Sequence, residues 1–205
     1  MHSNFSTFYK NKIQDSIRIK KKLINLSFEK KVSKCTEAIA NSLNLGGKIL
    51  LCGNGGSAAD AQHLAAELLV RLRPNVNRNP LPAISLAMDT STITACANDY
   101  SFKYLFARNL KAIGNKEDIL IAISTSGNSA NILEVLKEAK RKSIFSIAML
   151  GGTGGKAKGL ANLDLIIPTK ETARIQECHI FLGHVIFENV ENLYLKKNIN
   201  NISLK

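Results

Sequence analysis

His63 and Glu67 stand four residues apart in the run KILLCGNGGSAADAQHLAAE, residues 48–67. On a helix that spacing sets an imidazole and a carboxylate on one face, about 6 Å from each other. These are residue types that move protons; a plain surface pair is the competing reading. A second candidate is Ser124-Thr125-Ser126-Gly127-Asn128-Ser129. Several hydroxyls beside the free N–H groups of a helix start can hold a phosphate without any lysine. An ordinary turn ending in an N-cap explains the same residues. Farther on, Gln176, His179 and His184 stand out on an apolar stretch. His184 lies among Leu182, Val185 and Ile186, where a core histidine is the default reading.

The elements that must position these residues can be read from the pattern around them. Ile49-Leu50-Leu51-Cys52 is a short apolar run of the kind a buried parallel strand shows. It turns through Gly53-Asn54-Gly55-Gly56-Ser57 into a helix. Ser57 and Asp60 form an S-x-x-D capping pair, so the helix is expected to begin at Ser57. Its first N–H groups favour anions or sugar hydroxyls. Further strands are expected at 83–86, 118–124, 143–150 and 163–167. Helices are expected at 28–45, over 90–113 with a break near Asn98-Asp99, after the serine loop, and from about Arg174 to Lys197.

Apolar strands alternating with helices specify an α/β fold with a doubly wound, five-stranded parallel sheet covered on both faces. In such sheets ligands bind beyond the carboxyl ends of strands, where the strand order switches. In flavodoxin-like order the first and third strands are neighbours, and GNGGS and STSGNS border one crevice. GNGGS itself is a poor nucleotide fingerprint. It lacks the Lys-Ser/Thr of a P-loop, and Ala58 stands where G-x-G-x-x-G has its third glycine.

The chain of 205 residues is expected to form a single domain, with residues 1–46 as a helical arm on an α/β core at 47–197. The net charge of +12 invites a nucleic-acid partner. Much of it sits in residues 1–34, where nine Lys/Arg face Asp15 and Glu29. Ile13, Ile17 and Ile24 recur there at near-helical spacing, which describes an amphipathic helix with a solvated basic face. Between Lys10 and Lys22 no aromatic residue interleaves as a stacking platform would require, so nucleic acid is not the expected partner. No apolar run reaches the ~18 residues of a membrane helix, and MHSNFSTFYKNK has no hydrophobic core of a secretory signal. Cys35, Cys52, Cys96 and Cys178 form no C-x-x-C, and Cys35 and Cys52 read as core thiols; a reducing cytoplasm is the expected compartment.

CGNGGSAADAQHLAAEL, ANDYSF, ISTSGNSANILEVLKEA and TARIQECHIFLGHVIF, in that order, resemble the sedoheptulose-7-phosphate isomerase (phosphoheptose isomerase) family of sugar-isomerase (SIS) domains. The resemblance implies an isomerase making D-glycero-D-manno-heptose 7-phosphate for surface glycans such as lipopolysaccharide. It implies that Ser124, Thr125, Ser126 and Ser129 bind the phosphate. Asn54, Gly55, Gly56 and Ser57, with Asn98 and Asp99, would hold the sugar, and Glu67 and Gln176 also touch it. His63, Glu67, Gln176 and His184 match the family's zinc positions, and Glu67 and His184 its acid/base pair. Homotetramers are implied as well. Gln176 and His184 are eight residues apart, about 12 Å along a straight helix. Either that helix is distorted near Gly183, or one metal draws ligands from different subunits; a site shared between subunits is the favoured reading. Some members carry an acid where this chain has Ala173. A non-catalytic SIS relative that binds a replication initiator is the rival reading, as is an enzyme for a different phospho-sugar.

Overall fold

The computed structural model describes residues 2–87 and 89–202, with side chains from 4 to 195 except 26 and 88. Residues 1, 88 and 203–205 of the expected domain, and the side chain of Lys197 at the expected helix end, lie outside that description. Five strands, β1 (Ile49–Gly53), β2 (Ala83–Ser85), β3 (Ile119–Ser124), β4 (Phe145–Gly151) and β5 (Leu163–Ile167), pair in the order β2-β1-β3-β4-β5. Every pairing is parallel. The expected sheet and strand order are both present.

Alternate residues of each strand feed two cores. Ile49, Leu51, Ile121, Ile123, Ile147 and Met149 face one side. There α2 (Leu26–Asn44), α3 (Gly56–Leu69) and α7 (Thr172–Ile202) cover the sheet. Leu50, Cys52, Leu120, Ala122, Ala148 and Leu150 face the other. That side is closed by α4 (Thr90–Asp99), α5 (Leu105–Ile113) and α6 (Ala130–Arg141). β1 and β3 are buried at every position, which is why their sequences are continuously apolar rather than alternating. The break expected near Asn98-Asp99 falls at Tyr100, where α4 ends.

α1 (His2–Leu23) departs from the expected pattern. Ile13 and Ile17 are 43% and 48% exposed, and Ile24, in the link to α2, is 82% exposed; the buried isoleucine is Ile19. α1 meets α7 largely through polar groups. Lys12 pairs with Glu171, Ser16 Oγ donates to Glu177 Oε2, and Arg174 Nη1 donates to the Lys12 carbonyl. Phe5, Phe8 and Tyr9 on the same helix are exposed too. The isoleucine stripe is apolar as expected but does not face the core of the chain.

One buried ion pair sets β1 against β3. Asp118, 2% exposed, accepts hydrogen bonds from the Lys48 and Asn115 backbone N–H groups and pairs with Lys48 Nζ at 2.7 Å. Asp118→Ala leaves two amides and an ammonium without their acceptor. It should lower the unfolding free energy by about 3 kcal/mol in urea denaturation. A loss under about 1 kcal/mol would mean that water replaces the carboxylate.

Candidate active site

The crevice begins where β1 and β3 release their loops side by side. Asn54 follows β1, and Asn131 lies in the first turn of α6 beyond the β3 loop. Their side-chain amides bond reciprocally: Asn54 Nδ2 donates to Asn131 Oδ1 at 2.9 Å, and Asn131 Nδ2 to Asn54 Oδ1 at 2.8 Å. Asn131 is only 3% exposed. The sequence reading named Asn54 and missed Asn131; the signal was a second asparagine just after the serine loop.

α3 does not begin as expected. It starts at Gly56, with Gly55 as N-cap at φ 56° and no capping side chain. Only glycine adopts that backbone readily. Ser57 is buried inside the first turn, and the Asp60 carboxyl does not reach back to the helix start. It stands instead near His63 and His184, with Oδ2 buried and unpartnered among the described side chains. Burial pushes the Asp60 pKa up, against the opposing pull of His63 and His184.

Along α3, His63 and Glu67 share a face with Nε2 and Oε1 3.2 Å apart. His184 enters from α7, its Nε2 2.9 Å from His63 Nε2. What allows this is Gly183: a Cβ there would stand 2.6 Å from Leu64 Cδ2, so only glycine lets α7 lie this close to α3. One ligand atom from each of His63, Glu67 and His184 falls within 4.8 Å of the others. Two imidazole nitrogens and a carboxylate oxygen in that space are a donor set suited to zinc. His184 is half-buried at the crevice and is no core residue. The core histidine of α7 is His179, fully buried, with Nε2 on the Leu150 carbonyl and its pKa pushed down to about 4 by burial.

Gln176 stays apart from that trio. A Cβ on Gly56 would overlap the Gln176 amide, so Gln176 lies over the start of α3 while His184 lies over His63 two turns on. α7 runs without interruption through Gly183, which removes the distorted-helix alternative.

The serine loop divides its work. Ser124 Oγ is buried and accepts from the Gly127 N–H; Ser126 Oγ accepts from the Asn128 N–H; Ser129 begins α6 without a side-chain cap bond. Thr125 and Ser126 open onto a cleft of about 220 Å³ shared with Asn128, Thr153, Lys170 and Thr172. Behind it the glycine loop after β4 packs on the serine loop. A Cβ on Gly127 would overlap the Gly154 carbonyl, and the Ala157 N–H donates to the Gly127 carbonyl. Asn98 and Asp99 are exposed at the end of α4, where Asn98 Nδ2 donates to Asp99 Oδ1. Asp99 lines a different cleft, with Thr92, Tyr100 and Arg108.

Asn131→Ala strands the Asn54 amide in a half-buried place. The cost should be about 2 kcal/mol, with faster amide exchange in both loops at 53–57 and 124–130. Unchanged exchange would mean the loops hold their places without the pair.

The SIS domain profile matches residues 12–151. The phosphoheptose isomerase of Pelodictyon phaeoclathratiforme is 53% identical over 156 residues, 76% of this chain and 74% of that protein. The structure of the Neisseria gonorrhoeae phosphoheptose isomerase superposes with a TM-score of 0.83 at 39% identity, covering 92% of this chain and 99% of that one. A phosphoheptose isomerase from Francisella tularensis gives 0.85 at 36% identity, covering 91% and 97%. With the fold, the paired loops and the His/Glu/His cluster in place, the chain belongs to the phosphoheptose isomerase family of SIS-domain proteins.

Proposed function

We propose that the crevice isomerises D-sedoheptulose 7-phosphate to D-glycero-D-manno-heptose 7-phosphate, supplying heptose for a surface glycan. The observation that carries the chemistry is the His63/Glu67/His184 cluster, on the helix that leaves the β1 loop at the β1–β3 switch point and on α7 beside it. Aldose–ketose isomerisation needs a base for the carbon proton, an acid/base for the oxygens, and donors for the enediolate charge. Glu67 takes the proton from C1 and returns it at C2. His184 moves a proton between the two oxygens. Ser124, Thr125, Ser126 and Ser129 belong to the phosphate loop. Gly55, Gly56 and Ser57 belong to the loop that holds the sugar chain. Asp99, with Asn98 next to it, lines a different cleft of this chain, and the two would reach the sugar only from a neighbouring copy. The Asn54 amide is already spent on Asn131, so its part is to fix the loop whose N–H groups face the ligand.

His63, Glu67 and His184 would hold a zinc ion. Bound there, zinc supplies Lewis-acid polarisation of the carbonyl. The Glu67 carboxylate has two oxygens, enough for both a ligand and a base. Gln176 is best used from a neighbouring copy of the chain, because its own subunit keeps it about 12 Å along α7 from His184. Exposed Phe5, Phe8, Tyr9, Ile13 and Ile17 on α1, with Phe181 on α7, offer apolar surface for such a homotetramer with shared sites. Four buried thiols suit a reducing cytoplasm. Among the described residues no helix is long and apolar enough to cross a membrane. A non-catalytic regulator of a replication initiator has no use for the clustered acid/base set, and is disfavoured on that ground.

Glu67→Gln and His184→Ala should each lower kcat by at least about 100-fold with the circular dichroism spectrum unchanged. Full activity in both would overturn the role assignment. Chelation should abolish turnover and zinc restore it, and His63→Ala should lower the bound zinc measured by elemental analysis. Undiminished zinc in that variant would remove His63 from the ligand set.

A further inference from the structure

Beneath the cluster lies a buried charge network that the reaction does not touch. The carbonyls of the last turn of a helix have no partner within it. In α3 those of Glu67 and Leu68 receive Arg78: Nη2 donates to the Glu67 carbonyl and Nη1 to the Leu68 carbonyl, both at 2.8 Å. Arg78 Nε donates to Glu191 Oε1 at 2.6 Å, and Arg73 Nε to Glu191 Oε2 at 2.9 Å. The side chains of Arg78 and Glu191 are 1% and 0% exposed. Glu191 lies on α7 seven residues after His184, on the same face two turns away. One guanidinium thus spans the backbone of Glu67 and the helix that carries His184.

We infer that Arg78, held by Glu191 and Arg73, is a positioning residue for the Glu67 carboxylate. It fixes the last turn of α3 against α7, so the base and the acid/base keep their separation when substrate enters. The inference rests on the proposed role of Glu67. A lysine at 78 keeps the charge but cannot present the planar fork that reaches a carboxylate and two carbonyls together. Displacing a reacting group by an ångström costs far more in rate than in binding.

The test is the kinetics of Arg78→Lys in the zinc-loaded enzyme, with sedoheptulose 7-phosphate, in two backgrounds. In the wild-type background kcat should fall by at least about 10-fold with KM within about 2-fold. In the Glu67→Asp background, where the carboxylate is already withdrawn by a methylene, the further loss should stay below about 3-fold. Equal losses in both backgrounds, or no loss in either, would overturn the inference, the first by making Arg78 merely structural. If Arg78→Lys does not fold, Glu191→Gln takes its place under the same thresholds, since it turns one of the two oxygens that the arginines each use into an NH2 group that cannot accept. A fully active Glu67→Gln enzyme would instead sink the base assignment, so the two failures are distinguishable.

Discussion

Two hydrogen bonds between side-chain amides hold the crevice together. Asn54 and Asn131 come from loops that leave neighbouring strands, and each satisfies the other's donor and acceptor. Each such bond contributes only about 1 kcal/mol net, but a buried amide left without its partner costs more than that. The pair is therefore strongly directional. It sets the β1 loop and the β3 loop at one distance, and the helix starts behind them follow. The parallel order β2-β1-β3-β4-β5 makes this possible, because it sets β1 directly beside β3. The loop after β4 finishes the arrangement by packing its glycines against Gly127.

A second constraint operates along the helices. α3 and α7 run side by side in the same direction, Gln176 over Gly56 and His184 over His63. The absent side chain at Gly183 sets their spacing, and the Arg78–Glu191 pair ties them at the far end. The His63/Glu67/His184 cluster thus sits on rigid helices, while the polar GNGGS and STSGNS stretches sit on loops anchored by them. Exposed apolar groups gather on α1 and at Phe181 of α7, outside this crevice.

The sheet was legible because β1, β3 and β4 are buried on both faces and carry no charged residue. Strand order was expected only as the flavodoxin-like arrangement, under which the two polar loops border one crevice. The His63/Glu67 pair was legible from spacing alone, whereas His184 needed the resemblance, since Leu182, Val185 and Ile186 disguise it as a core residue. The Ser57/Asp60 cap failed for a physical reason: a positive-φ glycine turns the chain there, and Asp60 faces the histidines. Asn131, Arg78 and Glu191 could not be found by spacing. Their partners are 77, 11 and 113 or more residues away along the chain, and such pairings exist only once the sheet has formed. Ile13, Ile17 and Ile24 were read correctly as an apolar stripe, but the stripe lies exposed on the surface of the chain.

In the proposed reaction the crevice would hold one phospho-sugar by its two ends, its phosphate at the loop after β3 and its reacting end at α3 and α7. The most direct measurement is turnover of sedoheptulose 7-phosphate by the zinc-loaded protein in deuterated water, followed by NMR. An enediolate served by Glu67 exchanges its proton with solvent, so heptose 7-phosphate carrying deuterium at C2 is the expected result. Product free of deuterium, with none at C1 of recovered substrate, would contradict the enediolate. No product at all from a folded protein would contradict the isomerase.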